Sequence, residues 1–545
     1  MRLQTILRHS IAPLALLLVT TQAGAQTAPP PAFSWTGFYL GTNRGFGGGD
    51  LTPNLGNATS GFIPTAVDTS LVWRMSGWSF GGQLGYNYQL ANRLVLGLET
   101  DIQWSSVAAS SHDAGYSVLS LAGLSAGNQV NTVLSLNQNW FGTTRGRLGY
   151  AILDGVLVYA TGGVAYSGFD LKSGNTTLTA ATGGAPIFMR TYGASSPTAV
   201  GFVVGGGVEL AISGNLSVQG EYIYQQYPGF TLPLPTIGFG TTTSGVGNFS
   251  TNAIGIHMLR FGVNQRFNDP QELLSNPLNS PMITGVLARP VVDWSGFYIG
   301  VNGGYGGGVL EPQLTQLNSG SFPGIGLGVP EAVYTQDLAA WRHGGFLAGG
   351  QIGYNHQFQN NFIVGVESDF DWSGVSASNH LNSVSFAPSP PTPSLTSTLM
   401  RQSIDEDWFG STRLRLGHTV YERGFAYITG GVVYSQYSLA NSGGSATATS
   451  VFPFASVTQG RTSAAQIGWG VGAGCEHALN DHWRVRADYL YSEVPALNLP
   501  FATVTAGLPT SATFGQINSG TIGTHRLRFG LDYALGPAPM TLFAP

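Results

Sequence analysis

Charge and cysteine are both scarce in this chain. Only 9% of its 545 residues are Asp, Glu, Lys or Arg, whereas an ordinary soluble domain carries about 25%. Lys172 is the single lysine, so the chain has too few charged residues to cover the solvent-exposed helix faces of a helical enzyme. A formal net charge of −5 without a basic cluster argues against nucleic-acid binding. The single cysteine, Cys475, allows no internal disulfide and no multi-cysteine zinc site.

Long hydrophobic runs are also missing beyond the N-terminus. After residue 25 no uninterrupted apolar run approaches the ~18 residues that a membrane-spanning helix needs. Yet 43% of the chain is hydrophobic, and a chain so apolar with so few charges favours a lipid environment. Only helices and closed barrels satisfy every backbone polar group in lipid. We therefore expect an all-β protein, a transmembrane antiparallel up-and-down β-barrel.

The first 25 residues have the pattern of a signal peptide. Arg2 and Arg8 precede a short apolar run over 11–19, and Ala23-Gly24-Ala25 forms a small-residue cleavage site. No cysteine follows that site directly, which argues against a lipoprotein anchor. We expect export across the inner membrane and a mature chain that begins at Gln26.

The second half of the chain repeats the first. The segment Trp35-Thr-Gly-Phe-Tyr-Leu-Gly41 matches Trp294-Ser-Gly-Phe-Tyr-Ile-Gly300, and from Gly349 onward the matching segments keep an offset of 268. A period this long indicates two domains or two half-barrels. The expected division is a signal peptide at 1–25, barrel copy one at 26–267, a proline-bearing periplasmic linker at 268–293, barrel copy two at 294–535 and a C-terminal tail at 536–545.

Each copy contains eight segments of alternating polarity, joined in turn by long and short connections. Long outer loops and tight periplasmic turns are typical of outer-membrane barrels. In copy one the expected strands are 35–48, 78–89, 94–106, 138–150, 156–169, 199–210, 216–227 and 253–267. The long connections are 49–77, 107–137, 170–198 and 228–252, and the short ones are 90–93, 151–155 and 211–215.

Charged residues fall on one face of these strands. In the third strand the residues from Leu94 to Trp104 alternate, with apolar groups on one face and Glu99 and Asp101 on the other. The polar face is expected to point into the lumen, where the charges form either an ion-selecting eyelet or a salt-bridged plug. The plug is favoured because an eight-stranded barrel is only just wide enough for its side chains. The expected lumen charges are Glu99, Asp101, Arg145, Arg147, Glu209, Glu221 and Arg260 in copy one, and Glu367, Asp369, Asp371, Arg413, Arg415, Glu476, Arg484, Arg486, Asp488, Arg526 and Arg528 in copy two.

Four tryptophans mark the opposite, lipid-facing side of the strands. Trp104 and Trp140 flank a long outer loop of copy one, and Trp372 and Trp408 flank its counterpart in copy two. Tryptophan is enriched at membrane–water interfaces, so these four are expected to form an aromatic girdle.

The chain contains an ordered series of motifs that resembles a known family. SWTGFYLG, GGQLGYN, GLETDIQWS, WFGTTRGRLGY, YATGGVAYS, VQGEYIY and HMLRFGVNQRF occur in this order, and copy two repeats the series in variant form. Over roughly 33–267 and 292–535 the chain resembles alphaproteobacterial porin-family outer-membrane proteins, the OmpA-like eight-stranded β-barrel superfamily. The resemblance implies the outer membrane of a Gram-negative bacterium, contact with its lipid and lipopolysaccharide, and assembly by the barrel-insertion machinery.

The two copies are compatible with two architectures, which differ in the number of barrels. Two tandem eight-stranded barrels are favoured because each copy has a complete set of strands and because neighbouring strands need no 26-residue linker. One sixteen-stranded barrel, the usual porin size, is the alternative and would leave an aqueous channel. The oligomeric state stays open.

Two functions are compatible with these features. The first is passive permeation of small solutes or ions through narrow charged lumens, as in a porin. The alternative is a non-conducting structural or surface-interaction barrel that presents long extracellular loops. We expect no enzyme activity, no cofactor and no metal site.

The few patterns that suggest other chemistry are weak. Gly77-Trp-Ser-Phe-Gly81 matches a nucleophile elbow, but copy two has Leu347 in place of Ser79 and the strand–turn–helix context is absent. His257 and His525 occupy matching positions without a second ligand nearby.

We predict that the purified protein lacks residues 1–25. The Ala23-Gly24-Ala25 site makes Gln26 the expected first residue. Mass spectrometry of the mature N-terminus in outer-membrane fractions checks this, and an intact Met1 would contradict it.

Overall fold

The structure is a computed structural model, and every regular element that it describes is a β-strand. Within the described residues no helix is long and apolar enough to cross a bilayer. The described residues are 34–60, 63–65, 73–121, 124–153, 155–181, 187–212, 215–239, 244–267, 292–318, 332–337, 341–387, 394–449, 454–506 and 511–536. The signal peptide, nearly all of the linker and most of the C-terminal tail lie outside them.

The strands divide between the two copies. Copy one contains β1 (Gly37–Leu51), β2 (Pro53–Ser60), β3 (Ile63–Thr65), β4 (Trp73–Gln89), β5 (Leu94–Ser105), β6 (Ala108–Leu121), β7 (Leu124–Leu153), β8 (Val156–Ala181), β9 (Ile187–Ser195), β10 (Thr198–Ala211), β11 (Leu216–Tyr227), β12 (Thr231–Phe239), β13 (Ser244–Thr251) and β14 (Ile254–Phe267). Copy two contains β15 (Gly296–Leu310), β16 (Gln313–Asn318), β17 (Ala332–Asp337), β18 (Trp341–Gln357), β19 (Phe362–Ser373), β20 (Ser376–Ala387), β21 (Ser394–Tyr421), β22 (Gly424–Thr449), β23 (Phe454–Ala478), β24 (Trp483–Val494), β25 (Asn498–Ala506), β26 (Ser511–Asn518) and β27 (Ile522–Ala534).

Each copy closes its own ring of eight antiparallel strands. In copy one the ring runs β1-β4-β5-β7-β8-β10-β11-β14, and β14 returns to β1 with Phe38 opposite Phe267. In copy two it runs β15-β18-β19-β21-β22-β23-β24-β27 and closes with Tyr298 opposite Ala534. The second ring is not evenly arranged round an axis. The fold is therefore two tandem eight-stranded barrels, and the sixteen-stranded alternative is wrong.

The long connections differ from expectation, because much of them is strand. The strand β7 is 30 residues long, although a tilted strand crosses a membrane with about 9–11 residues. The outer parts of β7 and β8 extend beyond the wall, where β6 and β9 pair with them. Thr- and Val-containing segments favour extended backbone, and pairing satisfies their N–H and C=O groups. We call these parts, with their counterparts in copy two, the outer extensions.

The two barrels lie side by side, and corresponding residues make reciprocal contacts. The ring centroid of Trp78 lies 5.7 Å from that of Tyr489 and 5.4 Å from that of His525. Phe346, which corresponds to Trp78, lies 5.2 Å from His257, which corresponds to His525. This reciprocity indicates a pseudo-twofold axis between the barrels.

Small residues and aromatic rings fit together along this contact. Phe46 and Tyr305, which occupy matching positions, lie with ring centroids 6.1 Å apart. Gly220 faces the ring of Phe529, and a Cβ atom at Gly220 would collide with that ring. Because strands in such barrels tilt by about 35–45°, one vertical line down the wall crosses several strands. The contact thus runs from Trp78 on β4, past His257 on β14, to Gly220 on β11.

We predict that residues 26–267 fold without copy two. The β1–β14 pairing closes the ring within copy one, so no sheet edge depends on the other half. Refolding in detergent should give a compact, protease-resistant, heat-modifiable monomer. A fragment that folds only when mixed with 268–545 would contradict this.

Candidate functional site: the lumen charge network

Strand register brings opposite charges together inside each ring. Side chains alternate across a strand, so residues of equal parity on neighbouring strands share a face. In copy one Glu99 on β5 lies opposite Arg145 on β7, and Glu221 on β11 lies opposite Arg260 on β14. We call the inward charged residues of both copies the lumen charge network.

Arg145 and Arg260 form the centre of the copy-one network. Arg145 Nη1 donates to Glu221 Oε1 at 2.8 Å, and its Nη2 donates to Asp101 Oδ2 at 3.1 Å and to Glu99. Arg260 Nη1 reaches Asp101 Oδ2 at 2.9 Å, and its Nε reaches Glu221 Oε2 at 3.1 Å. The side chains of all five residues are fully buried.

Arg147 extends the network towards the periplasmic end. Its Nη2 donates to Glu209 Oε2 at 2.8 Å, and its Nη1 donates to the Tyr39 hydroxyl at 2.7 Å. Tyr39 donates in turn to Glu99 Oε2 at 2.6 Å. The guanidinium also stacks on Tyr159 at 3.8 Å from the ring centroid. These contacts hold the second arginine in a closed layer.

Copy two contains the same arrangement with more charges. Glu367 accepts from Arg486 Nη1 at 2.6 Å, Arg413 Nη2 at 2.8 Å and Arg415 Nη1 at 3.2 Å. Arg528 Nη2 donates to Asp488 Oδ2 at 2.7 Å. Further ion pairs join Arg413 and Arg528 to Asp369, Arg528 to Asp371, and Arg415 to Glu476.

Two arginines of copy two differ from this core. Arg526 Nη2 is paired with Glu406 near the outer end of the lumen. Arg484 lies towards the periplasmic end, where it stacks on Trp294 at 4.6 Å and donates to the Asp293 carbonyl at 3.3 Å. Each is buried, at 0% and 2% exposure.

Sequence reasoning missed several members of the lumen charge network. Glu406 has the parity of the lipid face, but a register shift between Glu406 and Trp408 turns it inward. A bulge inserts an extra residue and reverses the face of everything beyond it. Asp532, and Tyr39 as a hydroxyl partner of the network, already have inward parity. Carrying the parity rule beyond Arg528 to the end of the last strand, and applying it to tyrosine, would have found them.

The four tryptophans of the expected girdle lie as two cross-strand pairs. Trp104 is opposite Trp140, and Trp372 is opposite Trp408. Trp104 and Trp372 are 65% and 64% exposed on the outer wall. Trp408 stacks on Phe370 with ring centroids 5.3 Å apart.

The other residues that the sequence suggested as catalytic or metal-binding candidates make ordinary packing and hydrogen-bond contacts. Ser79 lies within β4, where its Oγ is 3.5 Å from the Met258 sulfur, and no nucleophile elbow forms there. His257 and His525 lie at the barrel contact, and their Nδ1 atoms are 2.7 and 2.8 Å from tyrosine hydroxyls. Among the described residues no group of three or more His, Cys, Asp or Glu could hold a metal ion.

A closed barrel with a lipid-facing apolar wall is the architecture of an integral outer-membrane protein. The family model "Outer membrane protein beta-barrel domain" matches residues 11–269 and 282–534. The chain belongs to this family, twice over, and its location is the outer membrane of a Gram-negative bacterium.

Relatives correspond to one copy each. The chain is 33% identical over 263 residues to the 31 kDa outer-membrane immunogenic protein of Brucella melitensis biotype 1, a match that covers 47% of this chain and 93% of that protein. It is 31% identical over 206 residues to the 22 kDa outer membrane protein of Rhizobium leguminosarum bv. viciae, covering 37% and 70%.

Solved structures give more distant matches. Ail, the attachment invasion locus protein of Yersinia pestis, matches with a TM-score of 0.19 and 9% identity over 43% of this chain and 99% of its own. A Pseudomonas aeruginosa FadL homologue matches with a TM-score of 0.22 and 10% identity over 92% and 91%.

We predict that Arg145→Leu lowers the free energy of unfolding by about 3–5 kcal/mol, because it leaves buried carboxylates without their partner. A urea titration of the folded barrel in detergent measures the loss. Arg401→Leu, at an exposed arginine on the outer extension of copy two, is the control and should change little. Equal stability of Arg145→Leu and the parent chain would indicate a water-filled lumen.

Proposed function

We propose that this protein is a non-conducting pair of barrels that anchors a β-structured surface region on the outer membrane. The observation that carries the proposal is the lumen charge network, whose central side chains, Arg145, Arg260, Glu99, Asp101 and Glu221, are fully buried. An open pore would leave some of this surface in contact with water. Here the carboxylates and guanidiniums neutralise one another across the ring.

A second polar layer supports a closed lumen in copy one. Gln83 Nε2 donates to Asn264 Oδ1 at 2.6 Å, and Asn264 Nδ2 donates to Glu209 Oε1 at 3.1 Å. Asn43 donates to Gln83 as well. All four residues are at most 2% exposed. These amides fill the cross-section beside the charged layers, as the narrow width of an eight-stranded barrel requires.

The permeation hypothesis lacks comparable support. Passive diffusion through a barrel needs an aqueous path, which barrels of 16–18 strands provide and eight-stranded barrels do not. Two separate rings do not add their widths, so tandem duplication alone creates no larger channel. The charges that suggested an ion-selecting eyelet are instead engaged with partners on neighbouring or opposite strands.

The outer extensions favour surface presentation. In copy two β21 and β22 are 28 and 26 residues long and remain paired from Tyr421–Gly424 at the turn to Ser394–Thr449 at the outer end. Strands of this length hold a firm platform well above the membrane. The names of the Brucella relatives describe those proteins as outer-membrane immunogens, which is consistent with an accessible surface.

We predict no stable single-channel openings from the full mature chain in planar bilayers. The matched variant is Arg145→Ser with Glu221→Ser, which removes the Arg145–Glu221 ion pair of 2.8 Å and the pairs that these two residues form with Glu99, Asp101 and Arg260. It keeps the net charge unchanged. The smaller side chains open the plug, so this variant should leak. A heat-modifiability gel confirms folding of both. Stable openings in the parent chain would support the porin hypothesis instead.

A further inference from the structure

Two arginines lie on outward strand faces where the barrels meet, and each copy contributes one of them. Arg44 on β1 is opposite Phe80 of β4 in the strand register, but its guanidinium stacks on Trp78, with Cζ 4.6 Å from the ring centroid. Trp78 in turn contacts Tyr489 and His525 of copy two. Arg44 therefore reaches from the wall of copy one towards the barrel contact.

The second arginine crosses from copy two to copy one. Arg342 on β18 donates from Nη1 to the Ser76 carbonyl of β4 at 2.7 Å. Ser76 and Trp78 are two residues apart on β4, which is about 7 Å along a strand. Both arginines are half-buried, and the guanidinium nitrogens that make no hydrogen bond are not among the buried polar atoms. We call the surface formed by Arg44, Arg342 and Trp78 the junction flank.

The junction flank lies at the outer end of the membrane-spanning wall. Arg342 is the second residue of β18, a strand of 17 residues, whereas about 9–11 residues cross a membrane. The other end of β18 leads into a short turn, and short turns face the periplasm. Arg44 points the same way as Arg342, because Trp78 is nearer the outer end of β4 than Phe80 is. Both guanidiniums are thus near the headgroups of the outer leaflet.

Carboxylates do not neutralise these two arginines in the described part of the chain. Asp50 pairs with Arg74 at 2.8 Å, and Glu493 accepts from a tyrosine hydroxyl at 3.1 Å. Neither acid forms an ion pair with Arg44 or Arg342. A charged side chain at membrane depth is costly without a counter-charge. An anion from the surrounding lipid would offset that cost.

The opposite side of the pseudo-twofold axis lacks this pair of arginines. Gly303 occupies the position of Arg44 in copy two. Arg74 occupies the position of Arg342 in copy one, but its partner there is Asp50. The copies have therefore diverged. One side of the barrel contact has two guanidiniums, and the other has a neutral ion pair.

An apolar groove continues from the junction flank along β4. Phe80 and Leu84 are 58% and 41% exposed on the outer wall. Gly82 lies between them on the same face, where an added Cβ atom would meet only the Gly41 carbonyl oxygen at 3.6 Å. A hydrocarbon chain fits over this glycine, with Arg44 opposite Phe80 at the outer end of the groove.

We propose that the junction flank binds a phosphate group of lipopolysaccharide in the outer leaflet. Guanidinium groups bind phosphate oxygens bidentately, and the lipid supplies the anion that Arg44 and Arg342 lack. An acyl chain of the same molecule lies in the groove at Gly82. One lipid then contacts both copies at the base of the outer extensions.

The test is native mass spectrometry of the full mature chain in detergent with added bisphosphorylated lipid A. The parent chain should retain one tightly bound molecule. Arg44→Gln, which leaves the hydrogen bond from Arg342 to Ser76 intact, should weaken binding about threefold, and Arg44→Gln with Arg342→Gln about tenfold. The matched control, Asp50→Asn with Arg74→Gln, keeps the net charge and should bind as the parent does. A heat-modifiability gel confirms that each variant is folded.

Several outcomes would overturn the proposal. Equal retention of lipid A by the double variant would mean that the arginines do not hold its phosphate. Equal binding of lipid A without its phosphates would reduce the site to an apolar groove. Preference for inorganic phosphate or for phosphatidylglycerol would assign the arginines to a free anion or to a phospholipid. Loss of lipid A from the control variant would mean that any charge change at the outer end disturbs the complex.

Discussion

Mutual neutralisation of buried charges inside each ring is the constraint on which the rest of this structure depends. A dry lumen cannot hold a lone carboxylate or guanidinium without a cost of several kcal/mol per ion. Glu99, Asp101 and Glu221 are tolerable only because Arg145 and Arg260 reach them from other strands. The network therefore sets the register of the strands, since a shift of one residue would turn each charge towards lipid.

Alternation along the sequence is sufficient to predict the barrel wall. The expected strand 216–227 coincides with β11, and 94–106 differs from β5 by one residue. The period of two determines which face each residue occupies. The rule fails at β-bulges. One register shift lies between Gln138 and Trp140, and another lies between Glu406 and Trp408. Because of these shifts, Gln138 and Glu406 occupy the opposite face from the one that the alternation predicts. A bulge depends on pairing with another strand, so one strand's sequence does not reveal it.

The outer extensions and the barrel contact could not be predicted in the same way. The segment 108–121 was expected to be part of a loop, and it becomes a strand through pairing with the outer part of β7, which pairs in turn with β8. Gly220 has the appearance of an ordinary strand glycine until Phe529 of the other copy lies against it. Both features depend on distant partners, so composition and period carry little information about them.

Duplication within one chain changes what an eight-stranded barrel can do. Two identical barrels would place identical residues on both sides of a twofold axis, as Phe46 and Tyr305 nearly do. Covalent linkage frees each side to diverge, since one copy can change while the other keeps its residue. Two matching positions show such divergence. Copy one has Trp78 where copy two has Phe346 at the outer end, and Arg93 where copy two has Asn361 at the periplasmic end. Asymmetric surfaces of this kind are accessible to a tandem pair and not to a symmetric homodimer, because every substitution in a homodimer occurs twice.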